Sequence, residues 1–161
     1  MKLLITGGTA ATALKLLKAF EGHEVVLADY GDVPTVSAKA YQFVSLGAKN
    51  EDIVAHNILN ACLNEGADAV LPLYSFEAEA IAKSKILFNE FGIEVLLPEP
   101  AELPVYLHQG IVLKTTDWAV YKQGKLFFSP SGNDIFRSEG EARNLNGAFV
   151  WLDGQFFLVT I

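Results

Sequence analysis

The stretch Leu3-Leu4-Ile5-Thr6-Gly7-Gly8-Thr9-Ala10-Ala11-Thr12-Ala13 constrains this chain more than any other. A short apolar run stops at two glycines, and the residues after them take up helical spacing. The pattern is that of a buried strand, a tight turn and a helix, with the strand covered on both faces. Such a unit aims backbone N–H groups and the positive end of a helix at whatever anion sits in the mouth of the sheet.

The residues that follow repeat the alternation. Over 9–21, Ala13, Leu14, Leu17 and Phe20 fall on one helical face, Lys15 and Lys18 on the other, and Gly22 is placed to end the helix. Residues 24–28 read as a second strand leading into Asp29, a loop follows over 31–34, and 41–46 alternate as a third strand. Asn50 is suited to cap a helix running to about residue 64, with Glu51 and Asp52 favouring its dipole and Gly66 ending it. A fourth strand is expected at 68–73. Ser75 is then the expected cap of a helix to residue 91, whose buried stripe would be Phe76, Ala80, Ile81, Leu87, Phe88 and Phe91. Gly92 stops it, and 93–97 read as a fifth strand. Residues 1–100 therefore predict an α/β domain, a Rossmann-like five-stranded parallel sheet with flanking helices. Ligands of such sheets bind beyond the carboxyl ends of the strands, where strand order reverses. Gly7, Gly8, Asp29 and residues 73–79 would collect at that edge.

Pro98, Pro100 and Pro104 mark a change of character, and residues 101–161 read as a small β-rich extension holding both tryptophans. Gln123-Gly124 and Asp153-Gly154 sit between strand-like runs, the second being a strong hairpin signal. Ser129-Pro130-Ser131-Gly132-Asn133-Asp134 reads as a turn between strands. Residues 148–152 and 155–161 are apolar on both faces, which an isolated hairpin cannot bury. They must pack on the first domain or on another chain, and a homodimer through these aromatic strands is one expectation.

Composition narrows the function classes. The net charge of −7, with no run of Lys or Arg, argues against nucleic acid or an anionic membrane as partner. No apolar stretch approaches the roughly 18 residues of a membrane span, so a cytoplasmic location is the default. Cys62 stands alone on the apolar side of a helix, as a buried structural thiol does. His23, His56 and His108 do not cluster, and no nucleophile elbow or phosphate loop occurs, so no metal site and no catalytic residue is assigned.

Two places could carry chemistry. As a dinucleotide fingerprint the Gly7-Gly8 turn would have Ala10 and Ala13 where further glycines belong, and Asp29, about 20 residues on, could hold a ribose hydroxyl. That gives an NAD(P)-binding protein as an alternative. Glu77 and Glu79, in the first turn after the fourth strand, either complement the helix dipole or, in the case of Glu77, face the glycine turn and hold a substrate hydroxyl or amine.

The order of these pieces resembles the pre-ATP-grasp domain, the N-terminal domain of carbamoyl-phosphate-synthase-like ATP-grasp ligases. The resemblance runs from the ITGG turn through GHEVVLADY and SAKAYQFVSL to GADAVLPLYSFEAEAIAKSKILFNEFGIEVLLP. It implies that the turn and the acids after the fourth strand bind the non-nucleotide substrate, and Gly7, Gly8, Asp29 and Glu77 are the matching positions. With their neighbours they give the candidate ligand set Thr6, Gly7, Gly8, Thr9, Asp29, Ser75 and Glu77 for a small polar molecule. Residues 106–111 are similar to the short helix and Gly-Ile that open an ATP-grasp domain, and 126–132 to its phosphate loop. Ser129 stands where the nucleotide-binding lysine would be, and the acidic and Asn positions for Mg²⁺ do not follow. The resemblance thus implies a ligand-binding or accessory protein, without ATP-dependent ligase activity of its own, that serves a separate ATP-grasp enzyme. A purely structural dimerisation module is a further alternative.

Overall fold

The computed structural model describes residues 1–108 and 113–161. A parallel sheet in the order β3-β2-β1-β4-β5 is built from β1 (Lys2–Thr6), β2 (Glu24–Asp29), β3 (Tyr41–Ser45), β4 (Ala69–Leu71) and β5 (Glu94–Val95). The chain moves outward from β1 to β3, then returns to the other side of β1 for β4. The switch point thus lies between β1 and β4, whose register pairs Ile5 with Leu71.

Its helices are shorter than the spacing predicts. The first is α1 (Ala11–Leu16), continued by a 3₁₀ turn at Leu17–Phe20. It buries Ala13, Leu16, Ala19 and Phe20, whereas Leu14, expected inside, is exposed. The buried positions Ala13, Leu16 and Ala19 recur every three residues, the repeat that the 3₁₀ turn continues. Asn50 does cap, its side chain accepting the Asp52 N–H, but it caps a 3₁₀ turn that precedes α2 (Val54–Glu65). Gly66 ends α2 in the left-handed region and Cys62 is buried, its thiol pushed up to about 12 by that burial. The single helix expected at 75–91 is two, α3 (Ser75–Lys83) and α4 (Lys85–Glu90), broken at Ser84, whose hydroxyl bonds back to the Ala80 carbonyl. That break shifts the helical phase, so Leu87 and Phe91 are exposed while Glu77, Ala78, Ile81, Ala82 and Phe88 are buried.

After α5 (Leu103–Tyr106), a second sheet is antiparallel in the order β7-β6-β8-β9: β6 (Asp117–Lys122), β7 (Lys125–Phe128), β8 (Gly147–Leu152) and β9 (Gln155–Leu158). The Gln123-Gly124 and Asp153-Gly154 turns have positive φ at both residues, the two-residue hairpin geometry that matches strand twist. The Ser129–Asp134 segment is not a turn between strands. It leads into α6 (Asp134–Ala142), with the Asn133 side chain accepting the Ile135 N–H at its start. This helix escapes the sequence reading because it is polar and short, with only Phe136 and Gly140 buried. Tyr121 lies against Gly140 where any Cβ would collide, and its hydroxyl donates to the Phe136 carbonyl at 2.6 Å. The Gly110-Ile111 pair of the expected ATP-grasp opening lies outside the described residues.

The two faces of the second sheet are covered within the chain. Trp118, Val120, Ala148 and Val150 join Leu3, Ile5, Leu16 and Phe20 in one core cluster. Ala119, Tyr121, Phe149 and Phe156 join Leu4, Val26, Ile58 and Ile81 in the other. Covering the hairpin therefore takes no second copy. The sheets are also joined at their border, where Asn146 Nδ2 donates to the carbonyls of Val95 and Leu97 at 3.0 and 3.3 Å.

Candidate functional site

The site forms where β1, β2 and β4 deliver their carboxyl ends. Thr6 closes β1, Asp29 closes β2, and the Leu73-Tyr74 exit of β4 leads into α3, which carries Glu77 on its first turn. Apart from aromatic residues and Cys62, Thr6, Asp29 and Glu77 are the three buried residues with polar or charged side chains among the described residues. Two of them are carboxylates, and buried carboxylates need hydrogen bonds to stay.

Asp29 accepts four. The Thr9 N–H and hydroxyl reach Oδ2 at 3.0 and 2.5 Å, and the Tyr30 N–H and Tyr74 hydroxyl reach Oδ1 at 2.9 and 2.6 Å. That fills a carboxylate's acceptor capacity. Burial works against the Asp29 charge, but the bonds from Thr9, Tyr74 and Tyr30 outweigh it and hold the group below its ordinary value. Glu77 accepts one bond per oxygen, from the Thr6 hydroxyl on Oε2 at 2.5 Å and the Tyr30 hydroxyl on Oε1 at 2.6 Å. Burial dominates here and pushes Glu77 up to about 7, the two hydroxyl bonds opposing it and the Asp29 charge adding to it. Burial likewise raises Tyr30 and Tyr74, each with help from the carboxylate it serves, so both remain phenols.

The glycine turn differs from its sequence reading. Its N–H groups do not face an open anion site, because Gly8 donates to Ala28 O at 2.9 Å, Thr9 to Asp29 and Ala10 to Gly7 O at 3.0 Å. The anion beside the turn is the chain's own Asp29 carboxylate. Gly8 is required for packing, since a Cβ there would lie 2.7 Å from Leu27. Gly7 has φ +66°, and a Cβ on it would run into the Ile161 side chain. A pyrophosphate would meet Asp29's charge, and Asp29 has no acceptor left for a ribose. The NAD(P) alternative is not favoured.

Six of the seven predicted residues therefore stand together, Thr6, Gly7, Gly8, Thr9, Asp29 and Glu77. Ser75 lies beside them but does not cap α3: Tyr74 precedes the helix without a side-chain bond, and Ser75 is its exposed first residue, donating its N–H to Ile161 O at 3.4 Å. Glu79 is at the surface, paired with Lys83. Sequence reasoning missed the two tyrosines that bridge the acids. With Phe76 they form a ring cluster, Tyr74 stacked on Phe76 at 5.1 Å and Tyr30 at 5.8 and 5.7 Å from the two, while Lys49 lies over Phe76. Their position was the available signal: Tyr30 comes directly after the end of β2 and Tyr74 three residues after that of β4, both in the segments that lead out of the sheet at its mouth. No cluster of three or more His, Cys, Asp or Glu that could hold a metal occurs among the described residues. No helix among them is long and apolar enough to cross a membrane.

No protein-family model matches the sequence, and no curated protein matches it. Solved structures do match. The biotin carboxylase domain of a single-chain bacterial carboxylase aligns with a TM-score of 0.50 at 19% identity, over 65% of this chain and 26% of that one. The Kluyveromyces lactis urea carboxylase aligns at 0.49 and 15% identity, over 97% and 19% of the two chains. The biotin carboxylase subunit of pyruvate carboxylase aligns at 0.42 and 16%, over 94% and 44%. This chain thus spans about a quarter of the first of these. At such identities the likeness is one of fold, that of part of a biotin carboxylase domain.

Proposed function

We propose that this protein is a small-ligand-binding or accessory relative of the pre-ATP-grasp part of ATP-grasp ligases, serving a separate ATP-grasp enzyme and performing no ATP chemistry itself. Its ligand is a small polar molecule bearing an amine or hydroxyl, held at the mouth of β1 and β4. The observation that carries the reading is the meeting of Asp29 and Glu77, from separate elements, at the switch point. Asp29 is saturated and fixed as an anion, so it sets the potential of the mouth. Glu77 keeps unused acceptor capacity, and a pKa near neutrality lets it receive a proton from a donor or give one up. The fold likeness to a biotin carboxylase domain supports the ATP-grasp relation.

Isothermal titration of the chain with ATP·Mg²⁺ tests the first half of the reading. No binding heat is expected, and tight stoichiometric binding would overturn it. Thermal shift with ethanolamine and related amino alcohols tests the second half. Stabilisation that disappears in Glu77→Gln is the expected result, and stabilisation equal in both proteins would place the ligand elsewhere.

A further inference from the structure

One part of the mouth is occupied by the chain itself. Beyond β9, Val159 is buried in the core shared by both sheets and donates its N–H to Ala148 O at 2.9 Å. Two residues later the backbone reaches the exit of β4. The Ile161 N–H donates to Leu73 O at 2.8 Å, and Ile161 O accepts from the Ser75 N–H at 3.4 Å. These two bonds bracket Tyr74 as a residue added in parallel to a strand edge would. The Ile161 side chain lies over Gly7, in the space a Cβ would take, with Leu73 alongside. The exit of β4 runs on past the end of β1, and Ile161 pairs on both sides of one residue in the lane that β1 leaves, with a glycine-floored slot for its side chain, main-chain pairing of the kind by which sheets take up extended peptides.

We propose that the mouth of the parallel sheet is a docking site for an extended peptide bearing an aliphatic side chain, and that Thr160-Ile161 fill it in cis while Val159 stays anchored in the core. The specificity elements are the Leu73 carbonyl and Ser75 N–H for the main chain and the Gly7 slot for the side chain. A partner presenting such a segment would compete with Ile161 for these groups. Because Ile161 is covalently joined to the core through Val159, its effective concentration at the site is of millimolar order, and the site is self-occupied until a partner is abundant. The inference stands on this geometry and not on the ligand reading above, which can fail without affecting it.

The test uses the fluorescently labelled peptide Phe-Leu-Val-Thr-Ile, the sequence of residues 157–161, with an amidated end. Fluorescence anisotropy is followed on the full chain and on Ile161→Asp, which removes the side chain from its slot. The variant is expected to bind the peptide at least about tenfold more tightly than the unaltered chain, and a peptide ending in Asp is expected not to bind. Equal binding to both proteins, or none to a folded variant, overturns the proposal. Amide exchange on the unaltered chain gives a second reading that requires no variant to fold. The Ser75 N–H should exchange faster than those of Leu4 and Val26, and exchange of all three at one common rate overturns the idea that the segment leaves independently.

Discussion

The seam between the two sheets and the mouth of the parallel sheet lie in one small molecule and solve opposite problems. At the seam nearly every group is apolar. Trp118, Val120, Phe149 and Phe156 gain stability simply by leaving water, and they tolerate some imprecision because dispersion has no direction. At the mouth the buried groups are two acids and a threonine, and each needs a donor at a definite position. The seam holds the chain together, whereas the mouth is stable only as a completed network. Stability and chemical potential are thus segregated. Damage at the seam should cost free energy at every pH, and damage at the mouth should change how stability depends on pH.

Truncating the seam should have the largest effect. Trp118→Ala, at a position 3% exposed, is expected to cost about 3–5 kcal/mol. If the sheets share their cores as described, tryptophan fluorescence from the second sheet and circular dichroism from the helices around the first will report one transition. Two separate transitions would break the comparison. Gly8→Val, which drives a side chain into Leu27, should cost about 3 kcal/mol by overpacking, measured as a lower urea midpoint.

The mouth then supplies the pH signature. Glu77 titrates near 7 in the folded chain and at its ordinary 4.5 when unfolded, so between these values the folded state holds more protons. Its contribution is complete below about pH 4.5 and is lost as pH rises to about 7, a fall of the order of 3 kcal/mol. Urea melts of Glu77→Gln should lack this slope. Asp29 runs the other way: its pKa lies below the ordinary value, so its contribution is present above 3.8 and is lost as pH falls. Tyr74→Phe removes one of its four donors and should weaken the fold by about 1–2 kcal/mol at neutral pH, moving the acid limb upward. The smallest effect is expected away from both regions, where Asn133→Ala should cost about 1 kcal/mol through the start of α6.

What the sequence disclosed follows the same division. The parallel strands were legible because strands buried on both faces leave continuous apolar runs, and glycines punctuate them at Gly22, Gly66 and Gly92. The turn residues Asp153-Gly154 likewise named their hairpin. Helix phase was less legible, because a single hydroxyl at Ser84 and a three-residue repeat running into the 3₁₀ turn after Leu16 set the buried face without altering composition. The polar helix α6 left almost no apolar signature. At the site, residue identities and their meeting were visible from chain order alone. Their state was not, since it depends on which hydroxyl reaches which oxygen. Nothing in Asp29 itself tells that Thr9, Tyr30 and Tyr74 satisfy it, and nothing in the Gly-Gly turn tells that its anion is internal.

The Asn146 side chain, described above as a join between the sheets, has a further consequence. β5 ends the parallel sheet, and an end strand offers a row of carbonyls to any extended chain that drifts past. By bonding the carbonyls of Val95 and Leu97, alternate residues along that edge, one amide occupies two places where a foreign strand would begin to pair. The protection is sequence-encoded at a distance of some fifty residues and costs the sheet no charge or proline of its own. Because Val95 and Leu97 are themselves buried, its loss would be felt first inside the single molecule, as two interior carbonyls left without a partner.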